Sequence, residues 1–158
     1  MKATLIVILS ILSLTTFAQK RDNFWLKQGI NAGCFMASGF MFRRAEIAKD
    51  DFRRYQAVHP NANPQWSNPK MSFRNKYKNW PEDQKPAYFL STSVLVFTTD
   101  QFHMDNLAGG VAMVAGMGVS LTLYEKPNFK QILLQCGISL ISYTSGRALA
   151  DIVYPKID

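Results

Sequence analysis

Asp100 and His103 stand three residues apart, and Arg147 and Asp151 stand four apart, so on helices each pair shares one face. Each pair could carry chemistry. A carboxylate beside an imidazole can orient it as a general base, which makes Asp100 and His103 the candidate catalytic pair. Joined by Asp105, the same residues offer oxygen and nitrogen donors to a divalent metal, the one cofactor these residue types suggest. The third reading is structural. Asp105, Arg147 and Asp151 form an ion-pair cluster, with Asp100 as a further partner for Arg147, that fastens helix ends together. All three readings stand at this point.

These residues would be brought together by where charge is missing. Residues 106–124 contain no Asp, Glu, Lys or Arg, and neither do residues 131–146. Two antiparallel helices joined by residues 125–130 would place all five polar residues at one end. Small residues recur along both runs, at Ala108, Ala112, Gly116 and Ser120 and at Ser139, Ser142, Gly146 and Ala150. Such stripes let helix backbones approach closely in lipid, and they also offer faces for a homo-oligomer. The pattern predicts a membrane-embedded helical hairpin over 106–124 and 131–150. Lys126 and Lys130 in the short connection would keep it cytoplasmic and put the polar end outside. The same stripes would also suit a tightly packed hairpin inside a soluble core.

The remaining elements are set by composition. Residues 29–55 read as one long helix whose second half, 43–54, is charged, amphipathic and exposed. Residues 59–86 are rich in proline and asparagine, which favour turns. Trp66, Arg74, Tyr77 and Trp80 make this loop a candidate membrane-surface segment, since aromatic and basic side chains both suit the headgroup layer. An ordered lid with its own aromatic core is the alternative, and His59 within it reads as a surface histidine. Residues 87–99 are expected to form a short helix. Unbroken to residue 124, it would run about 57 Å at 1.5 Å per residue, so a break is placed near Asp105 and Asn106. The fold class is therefore all-α: a long N-terminal helix, an aromatic–basic loop, a short helix and a C-terminal hairpin.

Residues 1–18 have the form of a cleaved signal peptide, with Lys2, an apolar stretch from Leu5 to Leu14, and Ala18 before Gln19. Residues 19–158 would then be one exported helical domain. The chain carries 18 Lys+Arg against 11 Asp+Glu, and 13 of the basic residues lie between Lys20 and Lys85. That imbalance suits anionic lipid headgroups, and nucleic acid is a poor partner for an exported chain. Cys34 and Cys136 lie in apolar stretches and read as packed thiols, although export would also permit them to pair in a disulfide. There is no Gly-x-Ser-x-Gly elbow, phosphate-cradling loop or His-Glu-x-x-His helix.

Three stretches resemble a known group: residues 59–69 (His-Pro-Asn-Ala-Asn-Pro-Gln-Trp-Ser-Asn-Pro), 72–79 (Ser-Phe-Arg-Asn-Lys-Tyr-Lys-Asn) and 98–103 (Thr-Thr-Asp-Gln-Phe-His). They are similar to an uncharacterised family of small exported or membrane proteins of Bacteroidota and their phages. Phe17-Ala18-Gln19 is similar to the cleavage context of that group. The resemblance implies an envelope location and no particular activity. Here Asn79-Trp80-Pro81 stands where that family has a Gly-Asp-Pro turn. Asp100-Gln-Phe-His103 followed by Ala108-Gly-Gly also resembles small periplasmic membrane-associated proteins with an Asp-x-x-His motif, although their lysine after the aspartate is Gln101 here. The leading expectation is a non-enzymatic inner-membrane or membrane-associated envelope protein with its loop in the periplasm. The alternatives are a small membrane enzyme or metal-dependent hydrolase using Asp100 and His103, and a soluble periplasmic binding module.

Overall fold

The structure, a computed structural model, describes residues 24–157; the expected signal peptide lies outside them. Helix α1 (Phe24–Asp50) stops where two consecutive carboxylates, Asp50 and Asp51, meet the negative end of its dipole. A short α2 (Phe52–Val58) follows at once. The expected single helix over 29–55 is thus two helices with a break at Asp51. The charged stretch expected to be exposed is not uniformly so: Ala45, Ile47, Ala48 and Arg54 are buried.

The proline- and asparagine-rich segment is irregular but ordered. Helices α3 (Pro64–Ser67) and α4 (Pro69–Ser72) are single turns, each with proline at its start. Asn63 and Asn68 cap them, accepting the backbone N–H of Gln65 and Lys70. A 3-10 turn (Phe73–Lys76) leads into an antiparallel hairpin of β1 (Tyr77–Asn79) and β2 (Asp83–Pro86), with Tyr77 opposite Pro86.

Residues 87–99 do not form the expected α-helix; only a 3-10 turn at Val96–Thr98 is regular. Their hydroxyls bond backbone carbonyls, both nearby and in the preceding 3-10 turn. Ser91 donates to the carbonyl of Lys76, Thr98 to Leu95 and Thr99 to Val96. Ser and Thr compete with the helix ladder in this way.

Helix α5 (Gln101–Ser120) begins four residues before the break expected at Asp105. Asp100 is its N-cap: the carboxylate accepts the backbone N–H of His103 at 2.8 Å, and its carbonyl accepts that of Met104. Helix α6 (Phe129–Val153) completes the chain. Among the described residues no helix is long and apolar enough to cross a membrane, so the expected spanning hairpin is not what forms. The helices that hold most of its charge-free runs also carry His103 and Asp105, or Lys130, Arg147 and Asp151.

The described chain divides into two compact units, residues 24–41 with 108–149, and residues 42–107 with 150–157. In the first, helix contacts are unusually close. A Cβ on Gly39 would lie 2.0 Å from the carbonyl oxygen of Tyr143, and one on Gly146 would lie 1.9 Å from that of Met36. Only glycine allows α1 and α6 to meet like this. Gly116 of α5 likewise faces Phe35 and Cys34 of α1. Gly116 and Gly146 of the small-residue stripes therefore serve contacts with the first helix.

Candidate functional site

The second unit holds the polar residues singled out by their spacing, apart from Arg147. Asp100 and His103 are brought together as expected. Imidazole Nδ1 lies 2.8 Å from both carboxylate oxygens of Asp100, and Thr99 Oγ1 is 3.2 Å from the same group. Asp100 is 1% exposed, whereas a third of the His103 side chain meets solvent. A cavity of about 500 Å³ adjoins the pair, with Lys49, Asp50 and Lys70 also in its wall. A buried carboxylate fixing one ring nitrogen of a half-exposed imidazole can prepare it for proton transfer. The same carboxylate caps α5, so it also has a structural task.

Asp105 does something else. Its carboxylate receives two N–H groups of Arg44, one at 2.8 Å, in a forked ion pair. Gln101 Nε2 donates to it as well, and the Gln101 carbonyl accepts the indole N–H of Trp66 at 3.0 Å. Burial works against both charges of the pair. For the Arg44 guanidinium burial is the largest single effect, but the hydrogen bond and the charge of Asp105 together with the nearby tyrosines outweigh it and raise its pKa above the ordinary value. For Asp105 burial prevails, and its carboxyl is pushed up despite Arg44. The expected sharing of a divalent metal by Asp100, His103 and Asp105 is not met. Among the described residues no group of three or more His, Cys, Asp or Glu side chains could hold one.

Asp151 accepts from Arg43 Nη2 at 2.8 Å and from Arg54 Nη2 at 3.0 Å. The Arg43 hydrogen bond holds its carboxyl below the usual range, with Arg54 adding to the effect. Arg54 also donates to the carbonyl of Tyr154, so a buried guanidinium closes the C-terminal end of α6. The rings of Tyr55 and Tyr154 stack at 5.8 Å, and His59 Nε2 lies 2.9 Å from the Tyr154 hydroxyl. His59, expected at the surface, is thus half-buried within this cluster.

Of the loop residues, Trp80 packs on Phe73 and Tyr77 at 5.1 and 5.3 Å, and Arg74 lies over Phe73. These aromatics form a cluster of their own, and the Trp66 indole is tied to Gln101. The residues missed from sequence are Arg43, Arg44, Arg54, Tyr55, Gln101 and Tyr154. The paired arginines at 43–44 and 53–54 were the available signal.

In the first unit the polar groups face inward. Asn31 Nδ2 donates to the Gly116 carbonyl at 2.7 Å and to Ser120 Oγ, while its own carbonyl accepts Gln135 Nε2 at 2.6 Å. Ser38 and Ser142 are buried too. Large apolar side chains point the other way: Leu121 is 83% exposed and Ile141 67%, with Val114, Leu133 and Leu140 similar. Arg147 lies 6.0 Å over the Tyr143 ring in this unit. Cys34 and Cys136 are free thiols, and burial pushes that of Cys34 up.

No known protein family, curated protein or solved structure matches the chain.

Proposed function

We propose that this protein is a non-enzymatic, membrane-associated envelope protein, held at a lipid surface by the outer face of residues 24–41 and 108–149. One observation carries the reading. In that unit Asn31, Ser38, Gly116, Gln135, Ser142 and Gly146 are buried beside Phe35, Val119 and Leu123, while most of the leucines and the isoleucines at 132 and 141 face outward. Helices packed through small residues and side-chain amides are suited to lipid, where burying leucine against leucine gains nothing. Large apolar side chains exposed in this number favour an interaction surface. Basic residues concentrated between Lys20 and Lys85 add attraction to anionic headgroups. The proposal does not require any single helix to cross the bilayer. The envelope location rests on the signal-like form of residues 1–18.

Fractionation of cells expressing the whole chain tests this. The expected result is retention in the membrane pellet after carbonate extraction, with a mass that begins at Gln19. Release in the osmotic-shock fluid would overturn it.

The Asp100–His103 contact favours a second reading, a small hydrolase in which His103 takes a proton from water while Asp100 holds the ring. The cavity wall bearing Lys49 and Lys70 would suit an anionic substrate. Here His103→Gln abolishes turnover of such a substrate and leaves the melting temperature unchanged. Equal loss of folded yield and of turnover would assign the pair to capping alone.

A further inference from the structure

The second unit carries an apolar turn of its own at residues 88–94, just beyond β2. Phe89 is 81% exposed, the most exposed large apolar side chain described in this unit. Val94 is 68% exposed, and Tyr88 is open as well. The turn lies outside residues 59–86, where the composition pointed to a membrane-surface loop.

This turn is fixed by its own bonds. Ser91, Ser93, Leu95 and Val96 all donate their backbone N–H groups to carbonyls within residues 88–93, two of them to Leu90. Ser91 is fully buried, and its hydroxyl donates to the Lys76 carbonyl at 2.8 Å, which also accepts the N–H of Ala87. Leu90 has φ 59°, the left-handed region that a leucine enters only at a cost. Such strain persists where the surrounding bonds over-determine the backbone, and it recurs at interaction sites. A phenylalanine held out on a fixed turn loses little freedom when it docks.

Charge indicates what it docks on. Residues 86–99 contain no Asp, Glu, Lys or Arg. Residues 70–85, which lead into the turn, carry Lys70, Arg74, Lys76, Lys78 and Lys85 against Glu82 and Asp83. A basic approach to an uncharged apex suits anionic headgroups above an apolar layer. The internally bonded N–H groups let the apex enter that layer without leaving those donors bare. Two apolar side chains five positions apart give a protein partner little register to recognise, and a bilayer demands none.

We propose that Phe89 and Val94 insert shallowly into an anionic lipid surface, as a contact of the second unit additional to the outer face of the first. The inference rests on the lipid-surface reading for its class of partner. One aromatic turn is too weak an anchor to hold the chain alone. The rest of this unit, built on ion pairs, stays in water.

The test places a bimane label on the whole chain at Phe89→Cys, in a Cys136→Ser background that leaves only the buried Cys34. The control label is at Arg53→Cys, a side chain 81% exposed in the same unit. Phosphatidylcholine vesicles containing phosphatidylglycerol are added, and emission is read on chains recovered by flotation. The expected result is a blue shift at position 89 and none at position 53, with a smaller shift on phosphatidylcholine alone. Phe89→Ser should weaken partitioning about tenfold, the order one shallowly buried phenylalanine supplies. An aqueous spectrum at position 89 on chains that float would overturn this contact and leave the first unit's reading standing. Equal shifts at both positions would also overturn it, since the turn would then not be the inserted part. Failure of the unsubstituted chain to float would overturn both readings. The label readout decides the matter even if Phe89→Ser fails to fold.

Discussion

Residues 24–41 with 108–149 keep several amides and hydroxyls inside and most leucines outside, whereas residues 42–107 with 150–157 are organised around forked arginine–carboxylate pairs and stacked tyrosines. Both units draw on the same three long helices, so helix formation does not distinguish them. The difference lies in which side chains the packing selects. In the first unit, close backbone approach at Gly39 and Gly146 makes the contact, and apolar bulk is left for the surroundings. In the second, charges without water are matched one against another, with Asp105 only 1% exposed. On the proposed reading, one unit suits an apolar environment and the other water.

The comparison can be broken most forcefully at Arg44. Arg44→Leu leaves Asp105 buried without its cation and should cost about 3–5 kcal/mol in urea unfolding. Replacing both residues by leucine should recover most of that loss. If the single variant cost nothing, the second unit would not depend on its ion pair.

Next comes the glycine contact of the first unit. Gly146→Ala drives a methyl group into the Met36 carbonyl and should destabilise by about 1–3 kcal/mol. Gly137→Ala in the same helix meets nothing within 4 Å and should be neutral or gain up to about 1 kcal/mol. Similar melting temperatures for the two variants would remove the argument for close approach.

A smaller effect is expected at the inward-facing amides. Asn31→Leu leaves Gln135 without its acceptor and should cost about 1–2 kcal/mol, measured against Leu133→Ser on the outer face, which should be nearly neutral in detergent.

The smallest is a pH effect in the second unit. The folded-state pKa of Asp151 is depressed, so its stabilising contribution is present above the ordinary aspartate value. It is lost as pH falls from that value through the lower, folded one. Asp151→Asn should therefore flatten part of the acid limb of a stability profile. Its carboxylate is well exposed, so the change should be modest. An unaltered acid limb would show that the Arg43 and Arg54 contacts add little in solution.

How much of this was legible follows from the distance in sequence over which each signal acts. The long helices were readable because runs without charge and with recurrent small residues reflect local periodicity. Asp100 and His103 were readable for the same reason, their contact being fixed by a three-residue spacing. Arg44 and Asp105 are 61 positions apart, and nothing local to either marks the other as its partner. The start of α5 was misplaced because Asp105 looked like a terminus, whereas the cap is Asp100 and Asp105 is held inside by a cation from elsewhere. Residues 87–99 have helix-compatible hydropathy, yet their hydroxyls take local carbonyls, a competition that composition alone does not resolve. The small-residue stripes were seen, but their partner is α1, whose own glycine at 39 carries no periodic signal.

The central claim is that the outward-facing leucines and isoleucines of the first unit hold the protein to lipid. Flotation of the whole chain with phosphatidylcholine vesicles containing phosphatidylglycerol tests it most directly, beside a variant carrying Leu133→Ser, Leu140→Ser and Ile141→Ser. The predicted result is that the unsubstituted chain floats while the variant, with the same helical circular dichroism, stays at the bottom of the gradient. A monodisperse unsubstituted chain that fails to float, or a variant that floats equally well, would contradict it.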